Sequence, residues 1–249
     1  MYFQDGLDGR TIKHPRGKAV GGSSAINSFA LIYPSETELD NWAALGNAGW
    51  DSEGISPYLR KFQTICRPSP EIQKELSIDY LSDTDETCGP IQASFPRIIK
   101  PLEKAWVDTH EQLDFRNHKD PCSGHALGGY ISSCHVTGSK SERSHAGTAY
   151  LDPVSKRANL DVCTGAHVEK IRFAKNTAQI HTAVGVVCRT NGETHEVEVT
   201  REVVLAAGTF GSPQVLELSG YGNKERLESF GIESLYENNG IGGKPALRI

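Results

Sequence analysis

Residues 15–27 read Pro-Arg-Gly-Lys-Ala-Val-Gly-Gly-Ser-Ser-Ala-Ile-Asn. Two basic residues, three glycines, two serines and an asparagine fall within thirteen positions. Such a run cannot be core. Gly17, Gly21 and Gly22 can take positive φ and bring bare backbone close to a ligand. Ser23 and Ser24 can cap the following helix and aim its N–H groups at an anion. Arg16 and Lys18 can offset phosphate charge, Arg16 bidentately, and Asn27 can hydrogen-bond a polar ring edge. Read alone, the same run also describes a turn with two solvated cations. A second glycine-containing block, Ala206-Ala207-Gly208-Thr209-Phe210-Gly211-Ser212-Pro213, reads as a strand-to-helix turn with a helix N-terminus facing whatever sits there. Alone it too describes an ordinary βα turn.

Between these blocks the pattern predicts helices first and strands later. Ser35 and Glu38 form a capping box ahead of Leu39, Trp42 and Leu45 at helical spacing, with Gly46-Asn47 as its stop. Further helices are expected over Gly54–Thr64, with Pro57 in the first turn, over Pro70–Glu75, and over Leu102–Leu113. Residues 66–92 read as a polar surface excursion, and 116–147 as a long irregular segment of the kind that forms lids and site walls. From 159 to 207 come short β-rich runs: Leu160–Cys163, Val168–Phe173, Ala183–Arg189, Glu196–Thr200 and Glu202–Ala207. Asn191-Gly192 between two of them is a strong hairpin signal. The last run reads as a buried strand. Ser212 is expected as an N-cap, Pro213 at N1 and Gly220 at C′, and residues 237–245 as a frayed tail.

Net charge is −5 over 249 residues, which argues against nucleic-acid or membrane-surface binding, both of which want a basic face. No apolar run is long enough to span a bilayer. No basic n-region followed by an apolar h-region is visible, so the chain as it stands reads as cytoplasmic, without a signal peptide. Six widely spaced cysteines contain no C-x-x-C, which predicts free thiols rather than a zinc site. Cys163 and Cys188 are expected in the core; Cys66, Cys88 and Cys122 lie in polar surroundings. Nine histidines show no metal-ligand clustering, and no metal site is expected. His125 and His145, in the irregular segment, are the weak candidates for a general base.

Read together, the two blocks resemble the two signatures of the glucose–methanol–choline (GMC) oxidoreductases. Arg10, then Pro15-Arg16-Gly17-Lys18-x-x-Gly21-Gly22-Ser23-Ser24-x-x-Asn27, is similar to the first, and Gly208-x-x-Gly211-Ser212-Pro213-Gln214 to Gly222 resembles the second. Asp40-x-Trp42 to Trp50, Arg143-Ser144, Ala149-Tyr150-Leu151 and Val168 match in order between them. The resemblance implies a mixed α/β (α+β) fold: part of a GMC-type FAD-binding domain plus part of an antiparallel-sheet substrate domain. The expected division is 1–65 and 155–232 for the FAD-binding part, 66–154 for a substrate or lid region, and 233–249 for an irregular tail.

The resemblance further implies an oxidoreductase acting on the CH–OH group of a small-molecule alcohol or a polyketide-like secondary metabolite. Arg16, Gly17, Gly21, Gly22, Ser24 and Asn27 would line the pyrophosphate and isoalloxazine side of FAD. Val168 would meet the adenine end through its backbone, and Ala207 and Gly208 would lie beside the nucleotide. Ile26 stands where some relatives carry the histidine that attaches FAD, so binding is expected to be non-covalent. The family's opening G-x-G-x-x-G turn and its C-terminal catalytic histidine have no counterpart in the chain. Truncation at both ends, impaired activity and a homodimer covering exposed sheet surface are the corresponding expectations. The alternatives are a flavin-independent cyclase, dehydratase or isomerase using the remaining pocket, or a non-catalytic remnant.

Overall fold

Helix and turn signals that act over a few residues set most of the observed elements. The computed structural model describes residues 8, 11, 13–78, 80, 88–117, 120–138, 140–175 and 180–243. It is a mixed α/β structure that divides into two units, Met1–Leu160 and Asp161–Ile249. Among the described residues no helix is long and apolar enough to cross a membrane.

The first unit begins with a 3₁₀ turn at Gly22–Ala25. Helix α1, Glu36–Ala44, starts where the capping box predicts: Ser35 accepts from the Glu38 N–H while Glu38 accepts from the Ser35 N–H. Gly46, at φ 101°, takes the left-handed position that follows its end. Helix α2 spans Ser52–Leu59, with Asp51 as N-cap accepting from the Gly54 N–H at 2.7 Å. The expected helix over Gly54–Thr64 is therefore corrected at both ends, and Pro57 lies beyond the first turn. After a short 3₁₀ turn the chain enters strand β1, Gln63–Cys66.

Helix α3, Pro70–Glu75, has the expected bounds. Strand β2, Ile91–Ser94, starts at the end of the 66–92 span expected to be a surface excursion and pairs with β1 in parallel, Gln63 opposite Ile91 and Cys66 opposite Ser94. The acidic residues Asp79, Asp83, Asp85 and Glu86 of that excursion lie outside the described residues. Helix α4 spans Pro101–Gln112. The segment 116–147 is mostly irregular as expected, but Cys134 bridges both Ala30 and Ser94. Two apolar clusters flank the β1–β2 pair. One centres on Leu31, Tyr33 and Ala93, the other on Leu76, Ile78 and Phe95. Burial pushes the Tyr33 phenol well above its ordinary pKa, and its hydroxyl donates to the Leu59 carbonyl at 3.0 Å.

The second unit is built on an antiparallel sheet of β3, His167–Lys175, β4, His181–Thr190, and β5, Glu193–Glu198, with β4 central. Asn191 and Gly192 both have positive φ, 52° and 88°, the signature of the tight hairpin turn that the sequence predicts. Helix α5, Gly208–Leu218, packs on β3. The buried Ser219 hydroxyl accepts the Ile171 N–H at 2.8 Å, so a helix-end side chain satisfies a backbone donor of the edge strand. A short parallel pair joins β6, Tyr221–Gly222, to β7, Tyr236–Glu237, with helix α6, Lys224–Ser229, between them.

Several expectations fail here. Leu160–Cys163 is irregular, and Cys163 is exposed while Cys188 is half-buried. Residues 202–206 form no strand; they have no ladder partner among the described residues, and Val204 is 80% exposed. Helix α5 starts four residues before Ser212, with Ala207 as its N-cap residue. The tail is not frayed as far as residue 243: Asn238 donates its N–H to the Gly222 carbonyl, and Arg226 reaches both Glu217 and the Ile241 carbonyl. Lys244 and Pro245 lie outside the described residues.

Candidate functional site

In the first unit the glycine loop folds back on itself. A Cβ on Gly17 would meet the Gly22 carbonyl oxygen at 2.2 Å, and the Gly17 N–H donates to Ser23 Oγ at 3.2 Å. Gly21 has φ 91°, and a Cβ there would lie 2.6 Å from His145 Nδ1 and 2.8 Å from the Gly147 nitrogen. Gly22, at φ 56°, faces open space. Only a residue without a side chain satisfies the first two positions sterically; the third leaves backbone accessible from outside. Arg16 and Lys18 are exposed beside it.

A second segment, 143–147, grips this loop. Ser24 Oγ donates to the Gly21 carbonyl at 2.5 Å and accepts the Ala146 N–H at 3.1 Å. Arg143 donates to the Ser24 carbonyl at 3.2 Å, to Asn27 Oδ1 at 2.7 Å and to the Asn27 carbonyl at 2.8 Å. Its guanidinium lies 3.9 Å over the Phe29 ring. His145 Nδ1 accepts the Gly147 N–H at 3.1 Å, so its lone pair is engaged within its own segment, where the ring lies against Gly21. The chain then runs into a π-turn, Gly147–Leu151, a wide turn found disproportionately at functional sites. Arg143, Ser144 and 149–151 appear in the sequence motif, but nothing local in it reveals that Arg143 reaches Asn27.

His125, the other candidate base, is elsewhere in the same unit. It pairs with Glu36 at 3.3 Å and lines an open groove of about 630 Å³ with Tyr33, Ser35, Arg116 and Asn117. His118 lies outside the described residues. His135 was singled out by nothing in the sequence. Burial lowers its ring pKa, and its Nε2 is buried with no hydrogen-bond partner among the described residues, as is Gln63 Oε1. Among the described residues no group of three or more His, Cys, Asp or Glu side chains could hold a metal. Among the described residues none of the six cysteines forms a disulfide, and Cys88 and Cys163 are exposed.

In the second unit Val168 sits beside a register break in β3, between its pairing with Cys188 and that of Lys170 with Val187. Ala207 donates its N–H to Ser212 Oγ at 3.1 Å, and Gly208 opens helix α5 at φ 82° with open space where a Cβ would be. Ser212 thus ties the start of the helix from inside it, in place of the expected capping role. Arg10 lies outside the described residues.

The family model described as GMC oxidoreductase matches residues 5–244. The chain belongs to the GMC oxidoreductase family. It is 31% identical over 242 residues to the GMC oxidoreductase family protein Mala s 12 of Malassezia sympodialis, covering 96% of this chain and 39% of that relative. Among solved structures it is similar to an FAD-dependent oxidoreductase from Chaetomium thermophilum, with 30% identity and a TM-score of 0.89, over 96% of this chain and 40% of the other. It is similar also to a fungal aryl-alcohol oxidase, with 27% identity and a TM-score of 0.79, over 91% and 38% of the two chains. This GMC chain therefore spans about two fifths of the length of these relatives, which indicate FAD as the family's cofactor.

Proposed function

We propose that this chain supplies the flavin-holding part of a GMC-type oxidoreductase that oxidises the CH–OH group of a small-molecule alcohol, with FAD bound non-covalently. The observation that carries this reading is the gripped glycine loop. Gly17 and Gly21 are packed against backbone and His145, while Gly22 keeps an accessible backbone face beside two exposed cations. That combination fits a dinucleotide: rigid, side-chain-free backbone for close approach, and positive charge for its phosphates.

In this reading Arg16, Gly17, Gly21, Gly22, Ser24 and Asn27 serve the pyrophosphate and isoalloxazine side. Val168, beside its register break, serves the adenine end, and Ala207 and Gly208 the nucleotide. The FAD-binding part comprises 1–65 and 155–232, and 66–154 contributes to the substrate region. FAD, when bound, supplies the acceptor for the hydride that leaves the alcohol carbon as the hydroxyl gives up its proton. The chain's own residues bind and orient. His145 is a poor choice of base because its Nδ1 already accepts the Gly147 N–H; His125 stands with Glu36 in the open groove. Val204, 80% exposed between the half-buried Val203 and Leu205, supports the homodimer as part of the same proposal, and light scattering at two protein concentrations tests it.

The test of the function is an FAD titration of the 249-residue chain, followed by quenching of flavin fluorescence and by retention of yellow colour through gel filtration. Quenching that saturates, weakened by Asn27→Ala and not by His110→Ala, is the expected result. A colourless chain with no quenching, or equal effects of the two substitutions, rejects it.

A further inference from the structure

We infer that Arg143 is a positioning residue that fixes the polarity of the Asn27 side-chain amide, so that Asn27 offers its NH₂ group to a hydrogen-bond acceptor on the bound ligand. The inference rests on the FAD reading above and goes beyond it, because it assigns a role to a residue 116 positions from the loop.

The polarity follows from the partners. Asn27 Oδ1 receives Arg143 Nη1 at 2.7 Å and the Phe29 N–H at 3.1 Å. A guanidinium and a backbone amide can only donate, so the atom between them must be the carbonyl oxygen. The Nδ2 group is thereby turned away from both. Asn27 itself is exposed, which leaves its two N–H donors available at the loop surface. A ring carbonyl or an unprotonated ring nitrogen is the chemistry they would recognise; an N–H edge is not.

Three further contacts hold Arg143 in place for this task. Its second nitrogen donates to the Asn27 carbonyl at 2.8 Å, its first also reaches the Ser24 carbonyl at 3.2 Å, and the guanidinium plane covers the Phe29 ring. Phe29 has φ 62°, a conformation bulky residues rarely adopt, and this turn brings its N–H onto Asn27. Lysine could supply the charge but not the planar fork that serves Asn27 Oδ1 and the Asn27 carbonyl together.

A double-mutant cycle on FAD affinity, read by flavin fluorescence and by the position of the bound flavin's absorption band, tests this. Asn27→Ala should weaken binding about tenfold, the loss expected for one good hydrogen bond to a ligand. Arg143→Gln should weaken it nearly as much and shift the band in the same direction. The double variant should bind within about twofold of Asn27→Ala alone, because Arg143 acts through Asn27. Losses that multiply in the double variant, or an Arg143→Gln variant that binds like the parent, overturn the inference. Should Arg143→Gln not fold, Arg143→Lys with a melting curve like the parent's takes its place; parental affinity and band position in that variant overturn the inference equally. If the parent chain shows no quenching at all, the FAD reading fails and this inference with it. If the parent binds and the cycle is additive, this inference alone fails.

Discussion

Residues 17–29 are held by groups 116 to 122 positions away, through Arg143 and the Ala146 N–H, whereas the turn at 207–212 is held by a hydroxyl five positions on. Both segments put positive-φ glycine where backbone must stay bare, yet they do so under different restraint. In the first, a methyl group at Gly17 or Gly21 would strike backbone or His145. In the second, Gly208 faces open space. The loop is preorganised by tertiary structure, and the turn by its own sequence. A ligand meeting the loop finds it already ordered, so less freedom is lost on binding there.

This contrast can be broken or sharpened by substitution. Gly17→Ala should give the largest effect, about 3 kcal/mol of lost stability, because a carbonyl at 2.2 Å cannot yield without moving the loop; a urea midpoint close to the parent's would show the loop to be loosely held. Gly208→Ala should lose only the left-handed backbone preference, about 1–2 kcal/mol, and a loss matching that of Gly17→Ala would erase the distinction. Ser24→Ala strands the Ala146 N–H in a partly buried position and should cost about 1–2 kcal/mol, against about 0.5–1 for Ser212→Ala at an exposed bond; thermal melts of the pair measure the difference, and a reversed order contradicts it. Val204→Lys, at a side chain 80% exposed, should stay within about 0.5 kcal/mol of the parent in dilute solution. A larger drop that grows with protein concentration and fades on dilution would show the run at 203–207 to be covered in an oligomer.

Signals confined to a few residues were legible in the sequence. Ser35 with Glu38 and Asn191-Gly192 each specify backbone geometry within one turn, and each appears as expected. Strands β1 and β2 were not legible, since four-residue strands whose parallel partners lie 28 positions apart leave no local trace. The apolar run 202–207 looked like a buried strand because composition reports what a segment could bury, and pairing requires a neighbour that the described residues do not provide. Helix α5 begins at Gly208-Thr209-Phe210-Gly211, a stretch with poor intrinsic helix preference. Of the candidate site, the glycines, Ser24 and Asn27 were visible as residue types. Their grip by Arg143 and His145 was not, because contacts over more than a hundred positions carry no periodicity.

That separation also has a consequence in time. Synthesis at about 5–20 residues per second puts roughly 6–23 s between the appearance of Asn27 and that of Arg143, 116 positions later. Throughout that interval the glycine loop exists without its clamp, while the Asn191-Gly192 hairpin can close within microseconds of emerging. The part of the chain that comes first from the ribosome is therefore completed by a part that comes much later, and a nascent chain halted before Arg143 would carry the binding sequence without the arrangement that gives it shape.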